Sequence, residues 1–440
     1  MESYFHDVAA IVTSLVRGQE IHLSSFYGED SDFVRMNQGR VRQAGAVAMR
    51  SLTVDLIRGR QHASGSVSLS GDLELDRMRI ARLVEDLRER SAVVPEDPFL
   101  LYATEPRSSA RRSENRLPGG GEALEEIQCA ARGRDLVGIY AAGDIYCGFA
   151  NTLGQRNWYA NSSYNLDWSF VRSADRAVTA NYAGFEWKRE DLQRKVDAAL
   201  AELELLSRPA RTIPPGRYRV YLAPAALSEF LGLLGWGGFG LRAHRSKTTP
   251  LLRMIEQGQR LHPSVRLVEN TCAGLAPDFQ EEGFLRPDQV PLIEGGAYRE
   301  CLASPRSAAE YGVPTNGAFA AEMPQSLEVG AGSVPRADVL RQLGKGIYIG
   351  NVWYLNYSDR VACRTTGMTR FATFWVENGV LQAPLDVMRF DETIYRMLGE
   401  NLVGLTAERE WILDPSTYSR RSTVTTCVPG ALIEDFRLTL

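Results

Sequence analysis

The segment TTGMTRFATFWVENGVLQAPL, Thr365–Leu385, carries the clearest structural signal in the chain. Asn378–Gly379 divides two apolar runs. That dipeptide suits a two-residue hairpin loop, because both central positions need φ > 0. The preceding run NVWYLNYSDR, Asn351–Arg360, is rich in aromatic residues and reads as another strand. Polar Asn356, Asp359, Arg360, Thr366 and Arg370 lie between the apolar runs, as a solvated connection or as the wall of a substrate cleft. Strand-like runs continue to both sides, from RYRVYLAP (Arg217–Pro224) to VTTCVPGALIEDFRLTL (Val424–Leu440).

Upstream, PARTIPPG (Pro209–Gly216) combines prolines and a glycine ahead of a new strand, which marks a boundary. The expected division is residues 1–213 and 214–440. The first part opens with apolar Phe5, Val8, Ile11, Val12 and Leu15 at steps of three and four, an amphipathic helix. Residues from Ser24 to about Ser70 alternate as a meander of strands, with turns expected at Asn37–Gly39, Gly59 and Gly65. Leu75, Met78, Ile80, Leu83, Val84 and Leu87 mark a helix. RSSARRSENR, Arg107–Arg116, reads as a solvated loop. The helix EALEEIQCAARG, a second strand group and the charged helix REDLQRKVDAALAELELLSR complete this half. The fold class predicted is α+β: an N-terminal α/β domain with an antiparallel sheet, then a mainly β domain.

Composition narrows the function. The chain has 440 residues, 44% hydrophobic and 24% charged, with a net charge of −4. No tract of Lys and Arg marks a nucleic-acid binder, so no direct nucleic-acid contact is expected. No run approaches the ~20 apolar residues of a membrane span, and the first residues lack the basic start of a signal peptide. The expected location is the cytoplasm, with no membrane association. The six cysteines form no CxxC pair, so they suggest neither a zinc ribbon nor a disulfide framework.

Catalytic motifs are scarce. The five histidines are isolated, with none within ten residues of another. The nucleophile elbow GxSxG is absent. Gly235, Gly237 and Gly240 satisfy GxGxxG, but they follow a helix instead of a strand, the wrong context for a dinucleotide loop. In FLGLLGWGGFGLRAHRSKTTP (Phe230–Pro250), Gly235 fits a helix C-cap. The further glycines imply close approach of another backbone or a peptide.

At these segments the chain resembles the TldD/PmbA family, also called modulators of gyrase. Thr366, Gly367, Arg370, Phe374, Trp375, Val376, Glu377, Asn378, Gly379, Pro384 and Leu385 fit its C-terminal signature. Met368, Thr369 and Thr373 depart from it. MLGENLVGL (Met397–Leu405) and the final TCVPGALIEDFRLTL resemble later family segments, and Phe33–Ser68 resembles the first domain. The resemblance implies two branches. TldD-like chains carry an HExxxH helix that, with a late cysteine, binds zinc and hydrolyses peptides. PmbA-like (TldE) chains lack those ligands and pair with the first.

Here the ligand positions fall at Gly232 and Gly237, the glutamate position at Leu233, and the cysteine position at Cys427. The implied chain is a zinc-free subunit without catalytic residues or cofactor of its own. Its zinc-bearing partner is an HExxxH paralogue; a homodimer is the alternative pairing. Trp236, Gly237, Gly238, Tyr357 and Arg360 are the expected lining of an unfolded-peptide site. A homodimeric scaffold and an autonomous hydrolase using Cys427 are the rival readings.

Overall fold

The computed structural model describes residues 1–173 and 176–440 and is α+β. Helix α1 (Glu2–Leu15) buries Phe5, Val8, Ile11 and Val12, the face that the spacing predicts. Strands β1 (Ile21–Asn37), β2 (Arg40–Arg58) and β3 (Gln61–Ser68) make the expected meander. Gln38 and Gly39 turn the first hairpin with φ of 54° and 64°, and Gly59 turns the second.

Gly65 is not a turn. It pairs with Val54 inside β3. A Cβ there would come within 3.0 Å of Leu83 and 3.2 Å of Leu87, so the residue is small because a helix lies on it. That helix, α2 (Leu73–Ser91), starts where the Asp72 carboxylate accepts from the N–H groups of Glu74 and Leu75. Ile80, Val84 and Leu87 are buried, whereas Leu75 and Met78 face solvent.

The arginine-rich stretch also departs from expectation. Ser109–Arg112 forms β4, parallel to β6. Its charged residues have partners: Arg112 pairs with Glu2, and Arg111 donates to the carbonyls of Thr271 at 2.8 Å and Cys272 at 2.7 Å. Helix α3 (Gly120–Ala130), strands β5 (Leu136–Asn151), β6 (Arg156–Ser173) and β7 (Arg176–Gly184), and helix α4 (Arg189–Leu205) complete the first half. Its sheet has the order β3-β2-β1-β5-β6-β4, with β7 also on β6; only β4 runs parallel to its neighbour.

The second half contributes strands β8 (Gly216–Leu222), β9 (Leu267–Asn270), β10 (Gln289–Glu294), β11 (Ala297–Tyr298), β12 (Ser326–Val329), β13 (Gly346–Asp359), β14 (Arg364–Glu377), β15 (Val380–Pro384), β16 (Arg389–Thr393), β17 (Leu402–Leu413) and β18 (Thr425–Leu438). The order is β11-β10-β9-β12-β18-β16-β14-β13-β8, and β8 also pairs with β18. Strands β8, β13, β14, β16 and β18 therefore close a ring. The hairpin at Asn378–Gly379 forms with φ of 55° and 72° and joins β14 to β15.

Helix α5 (Pro224–Gly238) follows β8 directly. Ala226, Leu227, Phe230, Leu231 and Leu234 share one core with Val220, Ile347, Ile349, Phe390, Ile433 and Phe436 of the ring. Phe230 lies against Phe390 and Phe436, with ring centroids 5.5 and 6.4 Å away. The two halves also share a core, because Ala372 and Phe374 of β14 pack with Trp168, Leu192 and Val196. Among the described residues no helix is long and apolar enough to cross a membrane.

Candidate functional site

The opposite face of α5 looks into a cleft. Ser228, Glu229, Gly232, Leu233 and Trp236 form one wall, with Glu229, Gly232, Leu233 and Trp236 at the spacing of a single helix face. Leu355, Ile412–Pro415, Val424 and Thr426 form the other walls of about 350 Å³. Partial burial pushes the Glu229 carboxyl above the usual range. Trp236 is 57% exposed.

The helix breaks at Trp236 and Gly237, whose φ is 72°, so Gly235 lies inside the helix and is not its cap. The backbone on both sides of the break is held by side chains. Arg360 donates from Nη2 to the Trp236 carbonyl and from Nε to that of Thr248, both at 2.8 Å. Tyr357 donates its hydroxyl to the Leu233 carbonyl at 3.0 Å. Thr249 Oγ1 and His244 Nε2 both donate to the Gly238 carbonyl at 2.8 Å. The His244 proton therefore sits on Nε2, Nδ1 accepts from the Tyr298 hydroxyl at 3.0 Å, and burial holds the ring below its ordinary pKa.

The glycines thus make room for the chain's own side chains. A Cβ on Gly237 would lie 2.6 Å from Arg360 Nη2, and one on Gly240 would lie 2.9 Å from Glu322. Gly238 is buried, and a Cβ there would meet Leu234 and Pro250 at ordinary contact distance. Of the five residues expected to line a site, only Trp236 borders the cleft. Tyr357 and Arg360 sit behind it and hold the helix end.

The implied ligand positions do not converge. Gly232 and Leu233 face the cleft without a donor atom, and Gly237 lies beyond the helical turn. Cys427 sits in β18 between Thr426, which lines the cleft, and Val428, which packs in the core. Strand alternation therefore turns Cys427 to the other face. Burial pushes its thiol up to about 11, which leaves it protonated and a poor nucleophile. Among the described residues no three His, Cys, Asp or Glu side chains gather around one point. A catalytic zinc takes three protein donors, so these residues do not fit one. Sequence reading passed over Glu229 and the β17 residues Ile412 and Leu413. The four-residue face from Glu229 to Trp236 was the available signal.

A larger hollow, about 940 Å³, lies between β7, α4 and β17. Its charges are already paired: Lys195 and Arg336 hold Glu410 at 2.7 and 2.9 Å, and Arg409 meets Glu328 at 2.8 Å. It offers no free charge to a ligand from those groups, and the cleft along α5 is the stronger candidate.

No curated protein matches the chain. Three solved structures share its fold over nearly the whole length. A Thermotoga maritima protein described as a modulator of a DNA gyrase is 16% identical, with 100% of both chains covered and a TM-score of 0.75. TldE from Thermococcus kodakarensis is 12% identical, covering 99% of this chain and 100% of its own, with a TM-score of 0.77. A Bacteroides thetaiotaomicron protein described as a modulator of DNA gyrase is 13% identical, covering 99% and 98%, with a TM-score of 0.74. The family model described as the PmbA/TldA metallopeptidase C-terminal domain matches residues 215–440. That match spans more than half of the sequence, and the chain belongs to the PmbA/TldD family.

Proposed function

We propose that this chain is the zinc-free subunit of a TldD/TldE-type peptidase and that it holds unfolded peptide along the cleft beside α5. The observation that carries the reading is the helix face itself. At the first ligand position it bears Gly232 and at the glutamate position Leu233, yet it still borders an open, largely apolar cleft. Zinc, the glutamate base and the activated water belong to an HExxxH partner in this reading, and no chemical step is assigned to this chain. Its own residues shape the cleft: Leu233, Trp236, Leu355 and Ile412 supply apolar contact, and Arg360 and Tyr357 fix the wall that carries them. An extended peptide there gains affinity from backbone hydrogen bonds and selectivity from side-chain pockets.

Co-expression with an HExxxH paralogue tests the reading. The two chains are expected to co-purify, and the pair to hydrolyse an unstructured peptide that neither chain hydrolyses alone. Failure to associate, or chelator-sensitive hydrolysis by this chain alone, contradicts it.

A further inference from the structure

A second cavity, about 480 Å³, lies between the N-terminal sheet and the second half. Phe279 and Phe319 give it apolar walls. Gln280 also lines it and is only 2% exposed. The Gln280 Oε1 accepts the Glu282 N–H, which fixes the amide so that Nε2 is the free end. That Nε2 has no partner among the described residues. Buried polar groups normally find one in protein, water or ligand.

The cavity is roofed by the β17–β18 loop. Arg421 pins this loop to the N-terminal sheet: it donates to Ser163 O at 2.8 Å, Ser163 Oγ at 2.7 Å, Gly143 O at 3.1 Å and Ser31 Oγ at 3.2 Å. Arg420 lies over the Tyr27 ring at 4.6 Å. The rim carries both signs of charge, with Arg420 offset by Glu281 and Asp414, so the interior selects for a neutral group. At the two ends of the loop, Asp414 and Val424 line this cavity and the α5 cleft alike.

We infer that the cavity is a side-chain subsite for a peptide lying in the α5 cleft. An apolar side chain enters between Phe279 and Phe319, and a carbonyl of the peptide accepts from Gln280 Nε2. The inference rests on the peptide-binding reading above and gives the N-terminal sheet a part in it.

Photocrosslinking of the purified full-length chain tests it. The probe is an unstructured twelve-residue peptide carrying one benzoylphenylalanine. Adducts are expected on residues of the cavity such as Phe279 and Cys147. Gln280→Leu keeps the side chain's size and removes its donor, and should lower those adducts about fivefold, the worth of one hydrogen bond. Should that variant melt early, Thr53→Trp, which fills the cavity from β2, should abolish them in a folded chain. Adducts confined to Trp236 and Leu355 overturn the subsite and leave the cleft reading standing. Cavity adducts unaltered by both variants overturn it as well. The absence of any adduct overturns both, with resident water as the only partner of Gln280.

Discussion

The guanidinium of Arg360 meets the carbonyl of Trp236 at 2.8 Å, in the space that a side chain on Gly237 would need. The same guanidinium lies 5.0 Å from the centre of the Tyr357 ring and 5.6 Å from that of Trp236. A helix end leaves carbonyls without intrahelical partners, and a cation there also suits the negative end of the helix dipole. The glycine and the arginine are therefore one device: the break at Gly237 presents the carbonyl, and the missing Cβ admits the group that satisfies it.

Substitutions in this glycine series should separate by backbone conformation. Gly237→Ala carries strain from φ of 72° and a clash with Arg360, and should cost about 1–3 kcal/mol in denaturant unfolding. Gly232→Ala should instead stabilise by about 0.5–1 kcal/mol, because the residue is helical and a Cβ there meets nothing within 4 Å. Gly238→Ala should change stability little, since its Cβ meets only ordinary contacts. Equal losses at all three positions would contradict the account of the break.

Trp236→Ala separates folding from peptide handling. The side chain is more than half exposed, so the melting temperature should barely move. Peptide turnover by the complex with an HExxxH paralogue should fall at least about tenfold, equivalent to ~1.4 kcal/mol of transition-state binding. Unchanged turnover would remove Trp236 from the substrate path.

The buried His22 should make the N-terminal half acid-sensitive. Thr13 Oγ1 donates to the Ala9 carbonyl and accepts from His22 Nε2, while Ser24 donates to Nδ1, so the ring is neutral and fully partnered. Burial lowers its pKa to about 4. The unfolded chain takes up the proton near 6.5. Its stabilising contribution is therefore complete above about pH 6.5 and is lost as pH falls through about 4, amounting to roughly 3 kcal/mol. Melting curves at pH 7 and pH 4.5 should differ less in His22→Gln than in the natural chain. Equal differences would show that the ring does not govern this limb.

The thiol of Cys427 should be inert. Timed alkylation at pH 8 with peptide mapping should modify the exposed Cys129 and Cys272 well before Cys427, whose burial holds it protonated. Early modification of Cys427, with loss of a peptidase activity of the isolated chain, would revive the hydrolase reading.

Local periodicity made much of the fold legible. The face of α1, the β1–β3 meander and the Asn378–Gly379 hairpin follow from short-range rules of burial and φ. The features missed depend on distant partners. Arg107–Arg116 looks like a solvated loop because five charged residues hide β4, which exists through parallel pairing with β6 and anchors at Glu2, Thr271 and Cys272. Gly65 looks like a turn, but its size answers to Leu83 and Leu87 on a helix formed later in the chain. The strand ring is closed by β8 and β18, at opposite ends of the second half, and no local pattern encodes that pairing. At the site, the glycine cluster was visible, but Arg360 and Glu322, which occupy the space it leaves, lie about a hundred residues away in sequence.

Metal content tests the central claim most directly. The chain, purified alone, exposed to excess zinc and then desalted, should retain no stoichiometric zinc by elemental analysis, because Gly232, Leu233 and Gly237 offer no donor and Cys427 faces away from the cleft. One tightly held zinc per chain would contradict the claim.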